Sequence, residues 1–267
     1  MIINKVLLFP SPKGNVTDNE ISQIEQTLDS FGIAHERFDA SIDQDFDAII
    51  ALGGDGTMLN AARLAFRKKT PIMCINFGTL GYMSGLENSE LSMLSKLKSG
   101  FETEERMLID VKVIRNNEIA AESTSLNEAV VARKTDGDIA EISLMCDGAK
   151  VCDYRSDGVI FATPTGSSAY AMSAGGPILD TKLNAVCVCP ICPHALGTRV
   201  MVFSASSTIE AVNVNSSDNN NMLLSDGRKI IDLIKGDRVV VSKSPRTIEL
   251  IKLKKDAFYE TLYNKMS

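Results

Sequence analysis

The sequence predicts an α/β region with a parallel sheet, followed by a mostly β region. Over the first hundred residues, short continuous apolar runs alternate with segments of helical period. Beyond about residue 105, closely spaced strand-like runs separated by Asp-Gly and Ser/Asn turns replace them. The length, 267 residues, admits one large domain or two modest ones.

Lys5–Phe9 is an apolar run closed by Pro10-Ser-Pro-Lys-Gly14, a buried strand and then a loop. Thr17 or Asp18 suits a helix cap, Ile21, Ile24, Leu28 and Phe31 recur at helical spacing, and Gly32 ends the segment. Asp47–Leu52 and Pro71–Asn76 are two further buried strands, with a helix over Thr57–Arg67 between them. Leu86–Lys98 reads as a helix with Leu91, Leu94 and Leu97 on one side. Strand and helix in alternation describe a parallel sheet covered on both faces.

The later strands are expected at Met107–Arg115, Ala129–Ala132, Ile139–Met145, Gly158–Ala162, Val186–Cys189, Arg199–Ser204, Ile209–Val214, Val239–Ser242 and Ile248–Leu253. Ser216–Asn221 is a low-complexity loop, and Asp256–Lys265 a short terminal helix. The expected division is 1–104, 105–253 and 254–267.

Hydrophobic residues make up 44% and charged residues 23%, which excludes wholesale disorder. The formal charge of −6 and the absence of a Lys/Arg run argue against general nucleic-acid binding. No apolar stretch approaches the roughly 20 residues that span a bilayer. The first ten residues read as a strand, without a charged leader or cleavage site. Six Cys in a chain of this length do not make a disulfide scaffold, and free thiols in a reducing cytoplasm are expected.

Leu52-Gly-Gly-Asp-Gly-Thr57 follows a buried strand and opens a helix, at the strand end where α/β proteins bind ligands. Gly53, Gly54, Gly56 and Thr57 can cradle phosphate, because glycines let backbone N–H groups approach and a helix start favours anions. Asp55 sits inside that cradle, where a carboxylate repels phosphate unless a cation intervenes or it has a proton to take. That conflict favours phosphoryl transfer over phosphate capture. A plain strand–helix turn capped by Asp is the other reading. Neither G-x-x-x-x-G-K-[ST] nor G-x-G-x-x-G is present here.

Arg155-Ser-Asp-Gly158, Thr163 to Ser173 and Gly175-Gly-Pro177 form a hydroxyl-rich stretch with one aromatic ring, Tyr170. It reads as a ligand loop or as an irregular surface loop. Asn127 and Glu128 place an amide beside a carboxylate, suited to the vicinal hydroxyls of a ribose. As an ionised group, Glu128 would accept both of those hydrogen bonds. Cys187, Cys189 and Cys192 lie in a strand-like run with no second Cys pair, so no zinc site is expected, and no metal ligand is assigned. The two His support no triad or metalloprotease motif.

Four segments in order now resemble the bacterial NAD kinases of the ATP-NAD kinase family: Leu52 to Thr57, Asn76-Phe-Gly-Thr-Leu-Gly81, Leu126-Asn-Glu128, and Arg155 to Pro177. Pro193-His194 and Asp226-Gly227 add weaker matches. The resemblance implies an α/β domain, a β-rich domain, and a C-terminal segment that packs back on the first. It implies phosphorylation by ATP of the adenosine 2′-hydroxyl of NAD, a divalent metal, usually Mg²⁺, and a cytoplasmic homodimer or homotetramer.

By the same resemblance Asp55 is the catalytic carboxylate and Gly56 its neighbour at NAD. Asn127, Glu128, Arg155, Asp157, Ser168, Ala169, Tyr170, Ala171, Met172 and Ser173 are NAD-binding positions, with Asn76, Phe77, Asp226 and Arg228 as further candidates. Ser168 stands where Thr is usual, and Arg228 where many bacterial members have Gln. A Gly-Gly-Asp-Gly kinase of lipids or sugars, or a non-catalytic dinucleotide sensor, are the alternatives.

Overall fold

The computed structural model describes residues 2–12, 14–41, 44–78, 81–83, 85–134, 138–195, 197–215, 221–254 and 257–266. The expectations for Thr79, Leu80, Asp256 and residues 216–220 lie outside the described residues. The chain divides into two compact units, 1–105 with 247–267, and 106–246.

The first unit is built on parallel strands. β1 (Lys5–Pro10) pairs in parallel with β2 (Ala34–Arg37) and with β3 (Ala48–Leu52), and β3 pairs with β4 (Ile72–Asn76). All five residues of β3 and of β4 are buried, as the unbroken apolar runs require. β5 (Leu86–Glu87) adds two residues beside β4. β2 is absent from the sequence expectation, because Ala-His-Glu-Arg carries no alternation and lies at the sheet edge.

Helix α1 (Asp18–Ser30) starts at a capping box: the Thr17 hydroxyl accepts the Glu20 N–H, and the Glu20 carboxylate accepts the Thr17 N–H. Its Ile21, Ile24 and Leu28 face the core. α2 (Asp55–Lys68) buries Met58, Ala61, Ala62 and Ala65. The helix expected over Leu86–Lys98 is instead a 3₁₀ stretch, Asn88–Ser95, kinked at Glu90, followed by the single turn α3 (Lys96–Ser99). Glu87 and Glu90 form a second capping box, which starts the chain afresh after the strand and shortens the helical run.

The second unit is antiparallel. Its strands are β6 (Glu102–Arg115, entered from the first unit), β7 (Glu118–Ser125), β8 (Glu128–Arg133), β9 (Ala140–Cys146), β10 (Ala149–Ser156) and β11 (Gly158–Ala162). Then come helix α4 (Tyr170–Ser173), β12 (Ala185–Ile191), β13 (Met201–Ser204), β14 (Ile209–Asn213), β15 (Asn221–Ser225), β16 (Arg228–Leu233) and β17 (Arg238–Lys252). A six-stranded sheet runs β13-β12-β11-β8-β15-β16, with the buried strands at its centre. β7 and β10 escape sequence reading because polar residues interrupt them and few of their side chains are buried, so no apolar period marks them. The pairs expected at Val239–Ser242 and Ile248–Leu253 are one strand, β17.

Residues 247–253, assigned by sequence to the β-rich region, belong to the first unit. Leu250 pairs in parallel with Ile72, and Ile251 and Leu253 join the first unit's core. Helix α5 (Ala257–Met266) belongs to the same unit: Phe258 and Thr261 are buried, and Lys265 Nζ lies 4.2 Å from the ring centroid of Tyr82.

Cys187 and Cys189 are buried free thiols on β12 with sulfurs 3.4 Å apart, whereas Cys192 is exposed. Gly158 has a packing role: a Cβ there would drive into the Val131 carbonyl oxygen and meet Ala132 Cα at 3.0 Å. Gly158→Ala is therefore expected to cost about 1–3 kcal/mol. Gly197→Ala, with open space at its Cβ, is expected to stay within about 0.5 kcal/mol of the native chain. Urea midpoints at constant slope compare the two.

Candidate active site

In the first unit the candidate residues gather at the carboxyl ends of β3 and β4. The chain leaves β3 at Gly53, whose N–H donates to Ile75 O across the sheet. Gly53 has φ +152° and lies so close to the Thr57 hydroxyl that a Cβ would clash with it, which accounts for glycine here. Gly54 precedes α2 without offering a side-chain cap.

Asp55, the first residue of α2, turns its carboxylate to the segment after β4. Oδ2 accepts the Tyr82 N–H at 2.9 Å, and Oδ1 accepts the Met83 N–H at 3.1 Å. Each oxygen keeps a second lone pair for a proton or a cation. Asn76 ends β4, donating through Nδ2 to Gly78 O at 2.9 Å, while its buried Oδ1 has no hydrogen-bond partner. A Cβ on Gly54 would sit 4.0 Å from that oxygen, so Gly54, Asp55 and Asn76 adjoin. Phe77 packs on the first unit's core instead of standing free. Beneath them Cys74 donates its thiol to Gly53 O, and burial, with the Asp55 charge adding, pushes that thiol up to about 12.

In the second unit a tight turn, 126–128, enters β8. The Asp226 carboxylate grips it: Oδ2 accepts the Leu126 N–H at 2.9 Å, and Oδ1 accepts those of Asn127 at 2.8 Å and Glu128 at 3.2 Å. Thr163, at the end of β11, donates its hydroxyl to Leu126 O and its N–H to Asn127 O. Gly166 lies against the Asn127 carbonyl with no room for a Cβ. Asn127 Oδ1 and Glu128 Oε2 are both buried and both without a hydrogen-bond partner. A buried acceptor left unmade costs about 1–3 kcal/mol, so each of these oxygens calls for a ligand's hydrogen-bonding group.

Burial, with the Asp226 charge adding and a hydrogen bond from the Tyr170 N–H opposing both, pushes the Glu128 carboxyl up to about 8. With its carboxyl raised in this way Glu128 holds its proton more tightly than the ionised acceptor of the sequence reading; burial is the larger cause, and the carboxylate of Asp226 beside it adds to it. Tyr170 and Met172 are exposed on α4, where Ser173 follows them and Ala171 is buried. Ser168 is buried, with its hydroxyl donating to Thr165 O, and Ala169 carries the break between the 3₁₀ turn Gly166–Ser168 and α4.

Arg155 and Asp157 lie elsewhere in this unit. Arg155 pairs with Glu141 on β9, and Asp157 with Arg133. Arg133 and Glu128 are opposite ends of β8, about 17 Å apart along the strand. Arg228 is exposed, just past the Asp226-Gly227 turn. Sequence reasoning missed Tyr82 and Met83, which act through backbone N–H groups and so leave no residue-type signal. Thr163 opens the hydroxyl-rich stretch read from the sequence, but its bonds to the 126–128 turn carry no residue-type signal.

The raised Glu128 carboxyl makes stability depend on pH. An unfolded Glu128 ionises near 4.5 and the folded one near 8, so its contribution is full below about 4.5 and is lost as pH rises through 8. Glu128→Gln is expected to remove that dependence. Urea unfolding at a series of pH values should show the variant gaining on the native chain between about 4.5 and 8, and a constant difference would contradict the assignment.

Family models of the ATP-NAD kinase N-terminal and C-terminal domains match residues 11–98 and 126–253. An NAD kinase of Carboxydothermus hydrogenoformans is 38% identical over 222 residues, 82% of this chain and 79% of that one. An NAD kinase of Nitrosomonas europaea is 36% identical over 257 residues, 94% of this chain and 86% of that one. The crystal structure of an NAD kinase from Archaeoglobus fulgidus in complex with ATP superposes with a TM-score of 0.78 at 27% identity, covering 98% of both chains. That of yeast NADH kinase complexed with NADH shares the fold, with a TM-score of 0.86 at 20% identity over 99% of this chain and 88% of that one. With both domains matched in order and such identity over most of its length, the chain belongs to the ATP-NAD kinase family.

Proposed function

We propose that the chain transfers the terminal phosphoryl group of ATP to the 2′-hydroxyl of the adenosine ribose of NAD, giving NADP. The observation that carries this reading is Asp55: a carboxylate at the carboxyl end of a parallel strand, inside a glycine turn that opens a helix. A ribose hydroxyl is a poor nucleophile until its proton is accepted. Asp55 is the base, taking that proton on an oxygen whose other lone pair is held by the Tyr82 or Met83 N–H. Those two hydrogen bonds fix the carboxylate's direction, so it need not reorganise as the proton moves.

Gly53, Gly54, Gly56 and Thr57 cradle donor phosphates, with Asn76 and Phe77 beside them. Asn127, Glu128 and the segment Ser168, Ala169, Tyr170, Ala171, Met172 and Ser173 hold NAD. A divalent cation, Mg²⁺ in most ATP chemistry, is bound largely by the nucleotide's own phosphates with one or two protein carboxylates. Among the described residues no three His, Cys, Asp or Glu side chains cluster, and Asp55, with lone pairs to spare, fits that shared role. When bound, the cation neutralises charge on the transferring group.

The working form is a homodimer or homotetramer in the cytoplasm. An oligomer would account for Asp157, which pairs with Arg133 at the far end of β8 from Glu128, and for Arg155, which pairs with Glu141: both would serve a second copy's dinucleotide by exchanging those partners. All six thiols are free, as a reducing compartment keeps them. Among the described residues no helix is long and apolar enough to cross a membrane.

Incubation with NAD, ATP and Mg²⁺, with NADP read enzymatically, tests the reading. NADP is expected in step with ADP; phosphorylation of a lipid or sugar instead, or NAD binding without turnover, would overturn it. Asp55→Asn is expected to lower turnover by about 10²-fold or more while NAD affinity stays within about tenfold. More than a tenth of native turnover in that variant would remove Asp55 from the role of base.

A further inference from the structure

We infer that Asp226 is a positioning residue for the Asn127–Glu128 pair: by gripping three successive backbone N–H groups it aims the two unpartnered acceptors and keeps the proton on Glu128 and the charge on itself. The inference rests on the reading of this pair as the dinucleotide's holding group.

The sheet register brings Asp226 there. β15 pairs with β8 so that Ser225 faces Ala129, and the next residue falls opposite Glu128, where the Asp226 N–H donates to Glu128 O at 3.0 Å. Asp226 and Gly227 form the two-residue turn to β16, both at positive φ, 44° and 74°. Such a turn accepts Asn-Gly at least as readily as Asp-Gly, so turn geometry alone does not call for the acid. The three N–H groups do. A carboxylate can accept all three on two oxygens, whereas an amide has one oxygen and would set an NH₂ against the remaining donor.

Asp226 and Glu128 are both buried, at 7% exposure each, and a charge on one opposes the ionisation of the other. Three N–H groups stabilise charge on Asp226, and Glu128 receives only the Tyr170 N–H, so the proton stays with Glu128. β11 faces Glu128 with Ala162, the β15–β16 turn with Asp226, and the segment from Gly166 to Ser173 with the Tyr170 N–H. Asp226 is the one charge among the described residues that acts on it.

A neutral Glu128 donates one hydrogen bond and accepts another. That matches a vicinal diol, whose hydroxyls also do both, and it spares the diphosphate of the dinucleotide a nearby second negative charge. NAD affinity should therefore hold steady at neutral pH and fall as Glu128 ionises near pH 8.

NAD affinity of the full chain, by calorimetry from pH 6 to 10, tests this on the native chain, Asp226→Asn and Glu128→Gln. The native chain is expected to weaken above a break near 8. In Asp226→Asn the break should move down by about one unit, as loss of one close charge dictates; in Glu128→Gln it should vanish. An unmoved break in the first variant, or a persistent one in the second, overturns the inference. Because Glu128→Gln keeps Asp226 and its clamp, a break that persists in it overturns the inference even if Asp226→Asn does not fold. The same break is read without ligand from urea stability against pH, so a chain that binds no NAD overturns the reading of the substrate while the roles of Asp226 and Glu128 are still decided.

Discussion

The carboxylate of Asp226 accepts hydrogen bonds from the backbone N–H groups of Leu126, Asn127 and Glu128, and the candidate dinucleotide site in its unit follows from that contact. A buried charge is costly unless its lone pairs are filled, and hydrogen bonds to charged groups contribute about 1.5–3 kcal/mol each. Three of them offset the burial of Asp226. They also fix the backbone of the turn that carries Asn127 and Glu128, whose side-chain oxygens Oδ1 and Oε2 are buried and unpartnered. Thr163 and Gly166 complete the turn from the other side, by hydroxyl and by the absence of a Cβ.

Asp55 uses the same device to a different end. It too is held by backbone N–H groups, but by two and not three, and it is only half-buried. One lone pair on each oxygen is left over. The count of donors thus separates the two acids: Asp226 is nearly saturated and serves as scaffold, while Asp55 keeps capacity for a proton. Asp55 also lies in the first turn of α2, at the end of the helix whose free N–H groups favour an acceptor.

Much of the first unit was legible in the sequence because its strands are buried on both faces. β3 and β4 announce themselves as unbroken apolar runs, and the glycines after β3 mark the turn that holds Asp55. Three strands with exposed faces were not legible: β7 and β10 are interrupted by polar residues, and β16 begins with two exposed cations. Asn127 and Glu128 could be named from their types, but their environment could not. The protonation of Glu128 depends on Asp226, about a hundred residues away, and a pairing register supplies that neighbour. Tyr82 and Met83 act through N–H groups that every residue but proline has, so their identity says nothing about the part they play.

The account turns on two neighbouring buried acids sharing one charge, with the proton on Glu128. Its most direct measurement is a carbon-13 NMR titration of the Glu128 side-chain carboxyl in the unliganded native chain, assigned through Glu128→Gln. The account predicts a midpoint near 8. A midpoint in the ordinary glutamate range, near 4.5, would contradict it.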